Sequence, residues 1–259
     1  MKKIILFLLL IFAGQLRAEI TISILTSSPG EEAHTIFGHS AVRVVDSDQD
    51  YDKLFNYGLF DFKTPFFPVR LLMGDLEYWL GKQTIERFIE LNNEEGRIVE
   101  EQVLNLSQAQ AQEIFADLTE NTKSENKFYR YSFTQKNCAT EIRDILVNHG
   151  LMEYAEDPDQ SYRELINSYM QDHHWFRFGI NLILGMKVEE KMSFQSSLFM
   201  PDNLYDAVRY TPDLVASSST LNSVDEKEPN KLVTFLKSPW FIFSSLFLLS
   251  LFYSINSGN

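Results

Sequence analysis

The stretch TQKNCATEIRDIL, residues 134–146, holds the only cysteine of the 259-residue chain, Cys138. Asn137 before it is a good N-cap residue, and Ile142, Ile145 and Leu146 recur at helical spacing. The stretch therefore predicts an amphipathic helix that begins at the cysteine, lays one face on a core and stops at Gly150. In a first helical turn, unpaired backbone N–H groups and the positive end of the helix dipole favour a thiolate. The same N–H groups can hold an oxyanion formed by attack at that sulfur, and the Asn137 amide is a second candidate donor. A lone cysteine is more often a small buried hydrophobe. Here the helix start and its polar neighbours favour a nucleophile.

A thiol nucleophile needs a base. Of the five histidines, His39 in TIFGHSAVRV sits at the mouth of a strand, where an imidazole can meet a helix-borne thiol across a cleft. His34 lies in the preceding loop. His149 falls at the end of the thiol's own helix, where a cation suits the dipole. His173 and His174 are adjacent in a loop before Trp175. A serine nucleophile at Ser40 is poorly supported, because GHSAV lacks the closing glycine of an elbow. No thiolate remains to build a zinc set with His34 and His39, so neither a metal nor another cofactor is expected.

The ends of the chain read differently. MKKIILFLLLIFAGQLRA, residues 1–18, has the lysines, apolar run and small-residue exit of a secretory signal peptide. The C-terminal segment 232–255 is apolar, with no charged residue between Pro239 and Ile255, and predicts a transmembrane anchor. Residues 216–231 are small and polar and predict a flexible linker. Between leader and linker lies one domain, 19–215. In a secreted domain a single cysteine makes no internal disulfide. The net charge of −13 repels nucleic acid and supplies no polybasic contact to anionic lipid.

Along the domain, EITISILT, HSAVRVVD and KLFNYG read as successive strands, the last two joined by the acidic turn DSDQDYD. A short strand is expected near DLEYWL, a helix in TIERFIELNNEEG with Thr84 as N-cap, and a strand in RIVEEQVLNL. SQAQAQEIFADLTENT predicts a helix with Ser107 and Gln110 in capping-box spacing. ENKFYRYSFTQKN is a loop or short strand. SYRELINSYM, FRFGINLILG and PDNLYDAVRY suggest further short helices. The mixed order points to an α+β class.

LTSSPGEEAHTIFGHSAVRV, FNYGLFDF, GRIVEEQVLNLS and ENKFYRYSFTQKNCATEIRDIL together resemble the N-terminal periplasmic domain of the Lnb-type lipoprotein N-acyltransferases. The resemblance covers roughly Glu19 to Tyr210. It implies a circularly permuted papain-like (NlpC-like) fold, in which the histidine strand precedes the cysteine helix. It implies Cys138 as nucleophile and His39 as base, with Asn137 and Asn56 as candidate polar partners of the imidazole. Arg43, Tyr57 and Tyr131 become candidate substrate-binding residues, Arg43 either for a phosphate or in a structural ion pair. The implied reaction moves an acyl chain from a phospholipid through a cysteine thioester to the N-terminal amine of a lipoprotein, at the inner membrane. A cysteine hydrolase, either a peptidoglycan amidase or a protease, is the alternative. Family members often carry a longer membrane region, so a membrane-protein partner is also a candidate.

Overall fold

The computed structural model describes residues 19–61, 63–65, 70, 76–152, 155–184, 187–224 and 231–257. The expected leader at 1–18 and residues 225–230 of the expected linker lie outside the described residues.

Seven strands form one sheet: β1 (Ile20–Ser27), β2 (His39–Asp46), β3 (Tyr51–Leu59), β4 (Glu77–Gln83), β5 (Val99–Leu104), β6 (Phe128–Arg130) and β7 (Val215–Thr220). Their order is β6-β4-β3-β2-β1-β5-β7, and every pairing is antiparallel. The helices are α1 (Ile85–Glu94), α2 (Gln108–Asn121), α3 (Cys138–Asn148), α4 (Tyr162–Ser168), α5 (His174–Ile183), α6 (Phe194–Ser197), α7 (Pro201–Tyr210), α8 (Lys231–Leu236) and α9 (Pro239–Ser257).

Strand alternation explains how the sheet is covered. On β2, Val42 and Val44 join a cluster with Ala139, Ile142 and Leu146 of α3 and Ile114 and Leu118 of α2. Ala41 belongs instead to a cluster with Leu54 and Phe88, the latter on α1. Successive side chains of one strand thus feed two cores, which is why the central strands are apolar on both faces. A third cluster, around Ile36, Ile166, Phe199 and Met200, fills the region beside the start of α3.

The local signals act as expected at three helix starts. Thr84 caps α1 by accepting from the Arg87 N–H. Ser107 and Gln110 close a capping box on α2, and Asn137 with Thr140 closes another on α3. The C-terminal region departs from expectation twice. Residues 216–220, read as linker, belong to β7, which pairs with β5 over Glu100–Leu104. Small polar residues are weak strand formers, but an open edge beside β5 supplies a ladder that composition does not reveal. The expected span 232–255 is broken between α8 and α9 at Lys237–Ser238, with Pro239 opening the second helix. Proline lacks the N–H that would continue the first helix and suits a first helical position. Among the described residues no helix is long and apolar enough to cross a membrane.

Candidate functional site

Three chain segments meet at the N-terminus of α3. The first is the helix start itself. Asn137 Oδ1 accepts from the Thr140 N–H at 2.9 Å, and Thr140 Oγ1 accepts from the Asn137 N–H at 2.7 Å. The Asn137 side-chain NH2 donates to Phe133 O at 2.8 Å and to Phe199 O at 2.9 Å. The amide expected to help hold an oxyanion thus has both N–H donors committed to backbone carbonyls. Its role in the structure is to pin the first turn of α3 to two neighbouring loops. With the Thr140 N–H taken by that cap, the Cys138 and Ala139 N–H groups are the ones at the helix start with no intrahelical acceptor.

The second segment brings His39 to the beginning of β2, opposite Ser27 of β1. Gly38, with φ +74°, makes the turn into the strand, and a Cβ there would stand 2.9 Å from Ser27 O. Only glycine meets both demands cheaply. The third segment is β3, which carries Asn56 and Gly58. His39 Nε2 lies 2.7 Å from Asn56 Oδ1. Since that oxygen only accepts, Nε2 carries the proton and Nδ1 is the nitrogen left for the thiol. Asn56 is buried, so the imidazole is held by a rigid partner. The β2–β3 register, continued from Val42 opposite Phe55, sets Gly58 across from His39. A Cβ on Gly58 would lie 3.7 Å from His39 Cε1 and 4.0 Å from Cys138 Cβ. The bare backbone there leaves the thiol and imidazole room to meet, and both remain partly accessible.

Their charges are coupled. Burial opposes ionisation of Cys138, but the charge of His39, a hydrogen bond with it and the N–H groups of Ser40 and Ala139 outweigh burial and lower its pKa. Burial likewise opposes charging of His39. The Cys138 thiolate and the bonds to Cys138 and Asn56 outweigh it and raise the imidazole, against a contrary push from Arg97. The pair therefore favours thiolate and imidazolium together.

Aromatic rings wall this site. Tyr131 stacks on Tyr78 with centroids 4.3 Å apart, and Tyr78 also meets Phe60 at 5.0 Å. Burial, then the charge at Cys138, pushes Tyr78 up to about 12. Burial likewise raises Tyr129 and Tyr131 well above the usual phenol, with Cys138 adding to both. These phenols stay neutral and donate rather than accept a proton. The buried Tyr129 hydroxyl has no hydrogen-bond partner among the described residues.

The other expected residues fall elsewhere. Arg43 is bound by Asp52 at 2.6 Å and 2.8 Å and by Glu101 at 3.1 Å. Of its two expected roles, the structural ion pair is the one seen. Tyr57 is buried in the main core and its hydroxyl accepts from Asn121 at 3.1 Å, so it supports the wall rather than facing substrate. His149 caps α3 and meets Asp117 at 2.9 Å, and His34 sits between Glu32 and Glu95 at 3.5 Å. No group of metal-binding side chains occurs among the described residues.

Sequence reasoning passed over Arg97, Tyr78 and Tyr129. Arg97 is buried, donates to Ser28 O at 2.8 Å and Glu95 at 3.0 Å, and keeps Nη2 without a partner among the described residues. Its link to the site is not local, because Ser28 comes from the loop before His39. Tyr129 alternates with Tyr131 in YRY, and that spacing was the available signal.

What the fold and site define is a cysteine–histidine centre whose imidazole is held by an amide, built on a mixed α/β scaffold. The family model described as the Lnb N-terminal periplasmic domain matches residues 16–168, and the chain belongs to that family. The family is one of periplasmic domains, which puts the described fold in the cell envelope. No curated protein and no solved structure matches the chain.

Proposed function

We propose that the protein is a cysteine-dependent acyltransferase of the cell envelope, held at the inner membrane by its apolar C-terminal helices. It would move an acyl chain from a phospholipid to the N-terminal amine of a lipoprotein. The observation that carries this reading is the Cys138–His39–Asn56 arrangement at a helix start, inside a domain of the Lnb family. The order of histidine strand, asparagine strand and cysteine helix also supports a circularly permuted papain-like (NlpC-like) relationship.

The chemistry balances with the chain's own groups. The Cys138 thiolate attacks an ester carbonyl of the phospholipid. First-turn N–H groups of α3 hold the tetrahedral oxyanion, and the neutral Tyr129 phenol is a second candidate donor. The His39 imidazolium protonates the departing lysophospholipid alkoxide, leaving a thioester on Cys138. The incoming neutral amine attacks that thioester, its proton passes to His39 and the thiolate departs, releasing an amide. Asn56 keeps the imidazole in one tautomer through both steps. No redox partner or cofactor enters the balance.

The same acyl-enzyme could be resolved by water, which is the cysteine hydrolase alternative. The exposed apolar side chains of α5 and α9 favour a lipid donor over a soluble peptide. Full-length protein incubated with vesicles of acyl-labelled phospholipid tests the proposal. Label on Cys138 that neutral hydroxylamine releases, and that passes to a lipoprotein N-terminus as amide, is the expected result. Absence of label under conditions that leave the fold intact, or soluble peptide fragments released from added peptidoglycan with no acyl group transferred, would overturn it.

A further inference from the structure

Helix α5 has two apolar sides. Phe176 and Ile180, with Leu184 just beyond, pack onto the cluster that includes Phe37 and Phe133. The other side carries Trp175, Phe178 and Leu182, which are 47%, 43% and 71% exposed. Trp175, Phe178 and Leu182 are spaced three and four apart, so they share one face. Exposed rings and aliphatic chains in a continuous row are not ordinary surface.

Among the described residues, what reaches this face is α9. Phe243 lies 5.9 Å from the Trp175 ring and 6.1 Å from the Phe178 ring, and Trp175 Nε1 donates to Lys237 O at 2.7 Å. The outer face of α5 is therefore continuous with a helix whose Trp240, Phe243, Leu246, Phe247 and Leu248 are all more than half exposed. A protein partner covers one side of a helix, whereas α9 is apolar on every side, which hydrocarbon accommodates. Arg177 on α5 and Lys237 beside it are exposed. Cations flanking tryptophan and aliphatic side chains are the pattern of a helix at headgroup depth.

We propose that α5 is an interfacial helix whose Trp175, Phe178 and Leu182 enter the acyl boundary of a phospholipid leaflet alongside α9. The occupant of this face is thus the bilayer surface. Its consequence for the site is direct. The inner side of α5 contacts Phe37, whose ring lies 6.5 Å from Phe176 and 4.8 Å from Phe133. Phe37 is two residues before His39, and the Phe133 carbonyl is one of the two held by Asn137. Helix α5 therefore joins the leaflet to both segments of the site, which seats the thiol next to esterified lipid. That purpose rests on the acyltransfer reading; the membrane contact itself does not.

The test uses the full chain in a Cys138→Ala background with one new cysteine at a time, labelled with an environment-sensitive nitrobenzoxadiazole. The sites are Leu182→Cys on α5, Leu248→Cys on α9, and Glu113→Cys beside the opposite end of α3. Vesicles are phosphatidylcholine, with and without nitroxide-labelled lipid. The proposal expects a blue shift and at least twofold nitroxide quenching at 182 and 248, with neither at 113. A probe at 182 that stays aqueous while 248 is quenched overturns the role of α5 and leaves membrane attachment standing. No quenching at either position overturns both.

Discussion

At the scale of single residues, the thiol and imidazole set each other's charge. Burial opposes the charged form of each, and each is shifted toward that form by the other. The thiolate–imidazolium form spans the interval from the lowered thiol pKa to the raised imidazole pKa. Acyl transfer is therefore expected to follow a bell whose basic limb lies above about 6.5, the ordinary imidazole value. Asn56→Ala frees the imidazole to turn, and a displacement of about 1 Å is enough to cost roughly 100-fold in kcat; steady-state kinetics with unchanged melting temperature would check it. Arg43→Gln makes the opposite separation. Glu101, with 9% side-chain exposure, loses its cation and keeps only the Ser23 hydroxyl, so stability should fall by about 3 kcal/mol in denaturant melts while the KM for phospholipid stays the same. Cys138 and His39 were legible in the sequence because a helix start and a strand mouth are local signals. The choice between Asn56 and Asn137 was not, since it depends on β2–β3 register. Nor was the choice between phosphate and ion pair for Arg43, whose partners are Asp52 on the adjacent strand and Glu101 fifty-eight residues on.

At the scale of elements, the start of α3 is over-determined. Asn137 satisfies a helix N–H, while its amide fastens the loops carrying Phe133 and Phe199. Asn137→Ala removes the cap and both tethers, for an expected loss of about 2 kcal/mol. Asn137→Asp keeps the cap but not the donors, so its thermal melt should fall between wild type and Ala. Gly38→Ala puts a side chain at φ +74° within 2.9 Å of a carbonyl. The left-handed backbone alone costs about 1–2 kcal/mol, and displacement of His39 should lower activity further. Capping boxes and strand alternation made most of these elements readable. β7 was not, because its serines acquire strand geometry only from the open edge of β5.

At the scale of the molecule, one sheet carries two cores, and the site sits where the strands bearing His39 and Asn56 meet the helix bearing Cys138. The sequence announced an apolar C-terminus, but the break at Lys237–Ser238 and the seating of α9 against α5 depend on packing. If the two helices act as one membrane surface, Leu182→Glu should slow acyl transfer from vesicle phospholipid by at least tenfold. Transfer from a soluble short-chain ester should be unchanged, because the substitution leaves the thiol and imidazole alone.

The most direct measurement of the central claim is the pH dependence of Cys138 alkylation by iodoacetamide, in wild type and in His39→Ala. Only the thiolate reacts, so the inflection of the rate reports its pKa. The account predicts a wild-type inflection below the roughly 8.5 of free cysteine, moved above that value in His39→Ala, where burial acts unopposed by the imidazolium. An inflection at or above 8.5 in the wild type, unmoved by loss of His39, would contradict it.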